Sequence, residues 1–160
     1  MVKDNYDLVV EYIIENQEKF YRLAYSYVNN REDALDVVQN SICSALENYG
    51  KIRDIGSIKT WFYRVLVNES INFIKRQKRE VAVDVQEQEP AYYEKGYEPE
   101  NGLYEEINKL PPDVQSVIKL RFYEEMSLKE ISEIVDMNLN TVKAKLYRGL
   151  KALKQEMEEV

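Results

Sequence analysis

The stretch SLKEISEIVDMNLNTVKAKLYR, residues 127–148, decides how the C-terminal part of the chain folds. Ser127 and Glu130 have the spacing of a capping box, in which two side chains satisfy the free N–H groups at a helix start. Apolar residues then recur at helical spacing, at Leu128, Ile131, Ile134 and Val135. After a break at residues 136–138, a second helix turns four residues inward: Val142, Leu146, Leu150 and Leu153. Asp136 stands in the break and tolerates a left-handed backbone, so the stretch predicts a helix-turn-helix.

The outward face of the second helix is positively charged. With about 100° between successive residues of a helix, the outward positions are Asn140, Ala144, Tyr147, Arg148 and Lys151. Residues 143–154 hold five basic and no acidic side chains, in a chain whose net charge is −7. Arg148 can read guanine in the major groove, and the lysines can hold phosphates. An ordinary helical hairpin with a solvated basic face is the alternative, but the capping box, the break and the one-sign cluster together favour DNA binding.

Residues 110–113, Leu-Pro-Pro-Asp, predict the start of a preceding helix, because proline is tolerated in the first turn. Its predicted apolar face is formed by Val114, Val117, Ile118 and Phe122.

The N-terminal half, from residue 6 to about residue 79, is also predicted to be helical. One apolar stripe consists of Phe20, Leu23, Ala24 and Tyr27. A second, predicted to be buried, consists of Leu35, Val38, Ile42, Ala45 and Tyr49. Asn30 is predicted to cap the second of these helices, with Asp33 at the third position inside. Gly50 and Gly56 bracket a loop before the next helix, which should begin near Ile58.

That next helix carries a second polar stripe. Its members share one helical face: Trp61, Arg64, Asn68, Asn72, Lys75 and Arg79. The opposite face is apolar: Ile58, Phe62, Val65, Leu66 and Phe73. Amides can bond base edges, and an aromatic ring can stack on an unpaired base. Two plainer readings stay open: Trp61 as a core residue, and the basic end as a complement to the helix dipole.

Residues 80–106 differ in composition from both flanks. They contain nine acidic side chains, one lysine and few large aliphatic residues. This composition predicts an acidic flexible linker, although Tyr92, Tyr93 and Tyr97 could pack on a neighbouring domain. The prediction is therefore an all-α chain with helical domains at residues 1–79 and 107–160.

The composition excludes several classes of protein. With no histidine and one cysteine, the chain has no His-based general base, no Cys/His metal site and no internal disulfide. There is no glycine-rich phosphate loop, no apolar leader at the N-terminus and no apolar run near the ~18 residues of a membrane span. We therefore expect a cytoplasmic protein without catalytic residues, cofactor, metal or small-molecule substrate. A two-domain transcriptional regulator is the rival, although it leaves the polar stripe after Ile58 unexplained; an enzyme is the third alternative.

Two blocks of sequence resemble a known family. Residues 33–42 (DALDVVQNSI) and 60–68 (TWFYRVLVN) are similar to region 2 of the extracytoplasmic-function group of bacterial sigma factors. Leu110-Pro111 with residues 127–135 and 141–148 are similar to region 4 of the same group. Asn40 and Asn72 depart from the family pattern, which commonly has an acid at those positions. The resemblance extends over nearly the whole chain.

The resemblance implies promoter recognition and strand opening as a subunit of core RNA polymerase, with promoter DNA as the second partner. The first domain would bind the polymerase clamp helices and the −10 element, and the second would bind the β flap and the −35 element. An anti-sigma factor, often membrane-anchored in this family, would hold the protein inactive. The implied polymerase-binding residues are Asp33, Asp36, Gln39 and Asn40. The residues assigned to the −10 element are Tyr49, Lys51, Lys59, Trp61, Arg64, Asn68, Lys75, Arg76 and Arg79. The residues assigned to the −35 element are Asn140, Thr141, Lys143, Ala144, Lys145, Tyr147, Arg148 and Lys151.

Overall fold

Helices make up the regular secondary structure of the computed structural model, which describes residues 4–52, 54–83 and 102–158. The chain divides into two units, Met1–Glu94 and Lys95–Val160. The first contains α1 (Asn5–Glu15), α2 (Gln17–Val28), α3 (Arg31–Glu47) and α4 (Ile58–Val83), with short 3₁₀ turns at Tyr49–Lys51 and Ile55–Ser57. The second contains α5 (Leu103–Asn108), α6 (Pro112–Phe122), α7 (Leu128–Val135) and α8 (Leu139–Glu158). The all-α prediction is confirmed.

The helix boundaries follow from local chemistry. The Asn30 side chain accepts a hydrogen bond from the backbone N–H of Asp33 at 3.0 Å, so Asn30 caps α3 as predicted. The capping box is also present, because the Glu130 N–H donates to Ser127 Oγ and the Ser127 N–H donates to Glu130 Oε1, both at 3.1 Å. Asp136 ends α7 in the left-handed conformation, at φ 55° and ψ 49°. These three features start or stop helices at the positions that the sequence predicted.

Aromatic rings form the centre of the first unit. Phe20 on α2 and Phe62 on α4 lie 4.3 Å apart between ring centroids, and Tyr12 and Tyr63 pack around them. The predicted stripe of α2 is buried in full: Phe20, Leu23, Ala24 and Tyr27. This cluster holds α2 against α4, and together with α3 the two helices surround the core of the unit.

The predicted buried face of α3 was wrong at two positions. Leu35 is 43% exposed and Tyr49, which lies beyond the helix, is 39% exposed. The buried face is rotated toward smaller residues: Ala34, Val37, Val38, Ser41 and Ala45. Small side chains let the backbone of α3 approach its neighbours closely, and Ser41 satisfies its hydroxyl by donating to the Val37 carbonyl at 2.8 Å.

Residue 122 was also placed wrongly by the sequence. Phe122 ends α6 and is 53% exposed, whereas Leu120 and Met126 are buried. The chain turns back after α6, and the Met126 N–H donates to the Leu120 carbonyl at 3.1 Å. Met126 is therefore the buried residue that follows Leu120 in this core, and not Phe122 as the helical spacing had predicted.

The predicted linker range, residues 80–106, is helical at both ends. Helix α4 continues to Val83 and α5 begins at Leu103. The rest of the range, including Tyr92, Tyr93 and Tyr97, lies outside the described residues.

A buried lysine joins α5 to α6. Lys119 is fully buried, and its Nζ donates to Asn108 Oδ1 at 2.9 Å and to Gln115 Oε1 at 3.1 Å. Gln115 Nε2 in turn donates to the carbonyls of Asn108 (3.0 Å) and Leu110 (2.8 Å). Burial lowers the pKa of Lys119 well below its usual 10.5, because these neutral amides do not offset the cost of burying the charge.

Helix α8 packs on α6 at a glycine. A Cβ added to Gly149 would lie 2.4 Å from Ile118 Cδ1 and 2.8 Å from Val114 Cγ1. Such distances are too short for real contacts, so either α8 or the two α6 side chains would have to move. The absence of a side chain at residue 149 thus sets how closely α8 approaches α6.

We expect Gly149→Ala to destabilise the second unit. Alanine gains about 1 kcal/mol of helix propensity over glycine, but overpacking costs about 1–3 kcal/mol. Amide hydrogen exchange of the whole chain should show reduced protection in α6 and α8. Gly50→Ala is the control, because a Cβ there meets nothing within 4 Å. Protection in Gly149→Ala equal to or greater than that of the wild type would contradict this account of the contact.

Lys119 should make the stability of the second unit depend on pH. The pKa of Lys119 is lowered in the folded state, so between that pKa and the ordinary value near 10.4 the unfolded state binds more protons. Stability contributed by this residue therefore rises with pH through that window. We expect the difference in unfolding free energy between the wild type and Lys119→Met to rise with pH in this window. Denaturant titrations that follow the second unit measure it. A pH-independent difference between the two proteins would contradict the prediction.

Candidate nucleic-acid and polymerase interfaces

The predicted recognition face of α8 is exposed. Its exposed members are Asn140, Lys143, Ala144, Tyr147, Arg148 and Lys151, and Tyr147 is 68% exposed. Asn138 caps the helix by accepting a hydrogen bond from the Thr141 N–H at 2.8 Å. A shallow groove runs along this face, lined by Asn138, Asn140, Thr141, Ala144, Lys145 and Arg148. Amide, hydroxyl and guanidinium groups thus surround a small residue, which suits close approach to base edges.

Lys145 differs from the other lysines of α8. Its side chain is only 22% exposed, and its ammonium group forms an ion pair with Asp113 of α6. This hydrogen bond is the main reason that the pKa of Asp113 lies below its usual value. Sequence reasoning assigned Lys145 to DNA and did not find Asp113, because the two residues are 32 positions apart.

The second basic face runs along α4. Its exposed members are Arg64, Asn68, Asn72, Lys75 and Arg79, at the spacing that the sequence indicated. Trp61 is half-buried, so its ring belongs neither wholly to the core nor wholly to the surface. Lys51 and Lys59 are exposed in the segment before and at the start of this helix. Tyr49 lies edge-on to Tyr6 of α1, with 5.3 Å between ring centroids.

Three of the four predicted polymerase-binding residues line a groove between α3 and α4. The groove has a volume of about 530 Å³ and is lined by Asp33, Asp36, Asn40, Phe73, Arg76, Gln77 and Glu80. Burial, and then the neighbouring charges of Asp36 and Glu32, raise the pKa of Asp33. Gln39 is exposed on α3 but does not line the groove.

The α4 wall of this groove was missed by sequence reasoning. Arg76 was assigned to the −10 element, but it lines this groove together with Phe73 and Glu80, which lie one turn before and after it, and with the adjacent Gln77. The spacing of Phe73, Arg76 and Glu80 puts them on one face of α4, but nothing in the sequence indicates that this face meets α3.

Within the described ranges, no cluster of three or more cysteine, aspartate or glutamate side chains is arranged to hold a metal ion. No described helix is both long and apolar enough to cross a bilayer.

The second unit contains a helix-turn-helix with an exposed basic face, and the first unit contains another exposed basic helix face. These features define a DNA-binding protein. Family comparison identifies which kind. Residues 13–80 match the family "Sigma-70 region 2", and residues 101–153 match "Sigma-70, region 4". The chain belongs to the sigma-70 family of RNA polymerase sigma factors, in its extracytoplasmic-function group. The resemblance of the two sequence blocks is thereby confirmed, and the regulator alternative is wrong because the family match includes the N-terminal unit.

Individual relatives agree with this assignment. The chain is 41% identical over 153 residues to the RNA polymerase sigma factor SigV of Bacillus subtilis (strain 168), covering 94% of this chain and 91% of SigV. It is 28% identical over 174 residues to the extracytoplasmic-function sigma factor SigW of the same strain, covering 99% and 93%. The sigma factor RpoE of Bartonella quintana, solved with the anti-sigma factor NepR, has a similar fold, with a TM-score of 0.75 and 20% identity over 92% of this chain and 95% of RpoE.

As a sigma factor, the chain binds core RNA polymerase and directs promoter recognition, strand opening and transcription initiation.

Proposed function

We propose that the two units divide promoter recognition between them. The second unit reads the −35 element with α8 and binds the β flap. The first unit binds the clamp helices with α3 and captures the −10 element with α4 and the segment before it. The observation that carries the proposal is the exposed basic face of α8 on a helix-turn-helix, within the part of the chain that matches region 4.

At the −35 element, base reading and phosphate binding fall to different side chains. Arg148 lies in the groove beside Ala144 and Asn140, where its guanidinium can reach a guanine edge in the major groove. Lys143 and Lys151 lie on the exposed surface to either side, where they can contact phosphates and fix the register of the helix.

At the −10 element, the proposed task is to hold an unpaired base. Extruding a base costs a few kcal/mol, so the protein must offer a polar and aromatic surface that repays this cost. Tyr49, Trp61 and Asn68 supply ring faces and an amide, and Lys75 and Arg79 continue the exposed face toward the end of α4. The assignment of Lys51, Lys59 and Arg64 to this element rests on the same exposed surface.

The groove between α3 and α4 is proposed to receive basic side chains of polymerase. The groove lining has an excess of negative charge, because it contains three carboxylates (Asp33, Asp36 and Glu80) and one guanidinium (Arg76). We therefore place Arg76 at the polymerase interface, where it orients the carboxylates, rather than at the −10 element. Asn40 and Gln39 add neutral hydrogen-bonding groups on α3.

Control by an anti-sigma factor is part of the proposal. RpoE of Bartonella quintana was solved with the anti-sigma factor NepR, and that protein shares the fold of this chain. An inhibitor that covers α3 from Asp36 to Glu47 and the apolar side of the second unit would compete with polymerase directly. We propose that the chain works in the cytoplasm and needs no cofactor, metal or covalent chemistry. A membrane-anchored inhibitor is compatible with that location.

Replacing Arg148 with alanine should relax base selection. We expect a loss of about 1–3 kcal/mol in binding to the selected −35 element and reduced discrimination at one position. Selection of random upstream sequences by the reconstituted holoenzyme measures both. Lys151→Ala is the control, because loss of a phosphate contact weakens binding evenly across sequences. Unchanged base selection by Arg148→Ala would show that α8 does not present Arg148 to the bases.

Reversing the charge of Asp36 should weaken two interactions together. If polymerase and inhibitor share the α3 surface, Asp36→Lys lowers the affinity for core polymerase and for the inhibitor captured from native cells. Paired affinity measurements provide the test, with Glu15→Lys as the control because Glu15 is exposed at the end of α1, outside the groove. Simultaneous binding of both partners at full affinity to one molecule would rule out occlusion.

A further inference from the structure

Lys145, which lines the α8 groove, belongs to a charge pair between two helices. Asp113 in the first turn of α6 and Lys145 in α8 are joined through Oδ2 and Nζ. The other carboxylate oxygen, Oδ1, accepts a hydrogen bond from the Val114 N–H at 2.9 Å. Asp113 is thus held by its own helix on one side and by Lys145 on the other, and the hydrogen bond from Lys145 lowers the pKa of its carboxyl group.

The pair changes what Lys145 can contribute to DNA binding. A lysine adds to nucleic-acid affinity mainly by neutralising a phosphate and releasing its counterion. Lys145 lies in the same groove as Arg148, but its charge is balanced by a carboxylate that would stay beside any phosphate it reached. Lys143 and Lys151 are exposed, and neither takes part in an ion pair with another described residue, so their charge is not cancelled in this way.

We propose that Asp113 is a specificity-determining residue that neutralises Lys145, so that this part of the recognition groove contributes position and no net phosphate attraction. The inference rests on the proposed function, because it requires α8 to be the helix that enters the DNA groove. Its consequence is that base contacts make up a larger share of α8 binding than its count of basic residues suggests. Discrimination between promoter and other DNA is improved, since nonspecific binding is almost entirely electrostatic.

The salt dependence of binding separates a phosphate contact from a positioning contact. The probe is a labelled duplex carrying the upstream element that the wild-type holoenzyme selects from random DNA, and a scrambled duplex of equal length. Dissociation constants of the reconstituted holoenzyme are measured over a series of salt concentrations. Four variants are compared with the wild type: Lys143→Met, Asp113→Asn, Lys145→Met, and the double variant Asp113→Asn/Lys145→Met. Circular dichroism establishes that each variant is folded.

The proposal predicts a specific pattern. Lys143→Met makes the slope of log K against log salt shallower by about 0.9, as expected for one lost phosphate contact. Asp113→Asn makes it steeper by about 0.9, because Lys145 becomes an uncompensated charge. Asp113→Asn also tightens binding to the scrambled duplex more than to the selected one. The double variant has the wild-type slope, because two uncharged side chains replace an ion pair whose net charge is zero. Lys145→Met alone binds both duplexes more weakly, because the negative charge of Asp113 is left unpaired.

Three results would overturn the proposal. If the double variant loses about 0.9 of slope as Lys143→Met does, Lys145 is a phosphate contact despite its partner. If Asp113→Asn leaves both slope and discrimination unchanged while Lys143→Met has its expected effect, α8 reads DNA and only the role of Asp113 is wrong. If none of the variants, Lys143→Met included, alters the slope, α8 does not meet DNA, and the proposed function fails together with this inference.

Discussion

Close helix packing at small residues is the constraint on which both functional surfaces depend. A helix that approaches its neighbour through small side chains has its rotation fixed, and that rotation decides which residues face solvent. In the second unit, Gly149 brings α8 against Val114 and Ile118 and thereby turns Arg148 outward. In the first unit, the small inward-facing residues of α3 have the same effect on Asp36. The binding faces are consequences of the cores behind them.

Separation of charge explains how a protein with a net charge of −7 can bind DNA. Positive charge is concentrated on exposed faces of α4 and α8, and negative charge lines the α3 side of the groove in the first unit. An acidic total weakens nonspecific attachment of the free protein to DNA, because that attachment is electrostatic. The Asp113–Lys145 pair would extend this arrangement to the recognition helix itself, where a carboxylate cancels one of five basic charges between residues 143 and 154.

Local interactions could be predicted from the sequence, and contacts between distant residues could not. The caps at Asn30 and Ser127 join residues three apart, and the left-handed turn is a property of Asp136 alone. Helical spacing also gave the outward face of α8 correctly. Helical spacing failed for Leu35, because α3 packs through a face with smaller residues. It failed for Phe122, because the chain reverses after α6 and Met126 is buried instead. The groove between α3 and α4 was half predicted for the same reason. Its α3 residues came from the family resemblance, whereas its α4 wall depends on the packing of two helices.

The small size of each unit supports the proposed division of promoter recognition between them. A single DNA-binding module buries roughly 600–1,000 Å² of protein surface, so α8 alone supplies modest affinity and can be selective only if nonspecific attraction is low. The proposed capture of an unpaired base by the first unit would add discrimination of a different kind, because it would depend on strand opening as well as on sequence. Neither unit needs to bind DNA tightly when polymerase holds both at one promoter, since linked weak contacts gain from effective concentration. Under this proposal an inhibitor could act by covering the proposed polymerase-binding surfaces, without approaching the basic faces of α4 and α8.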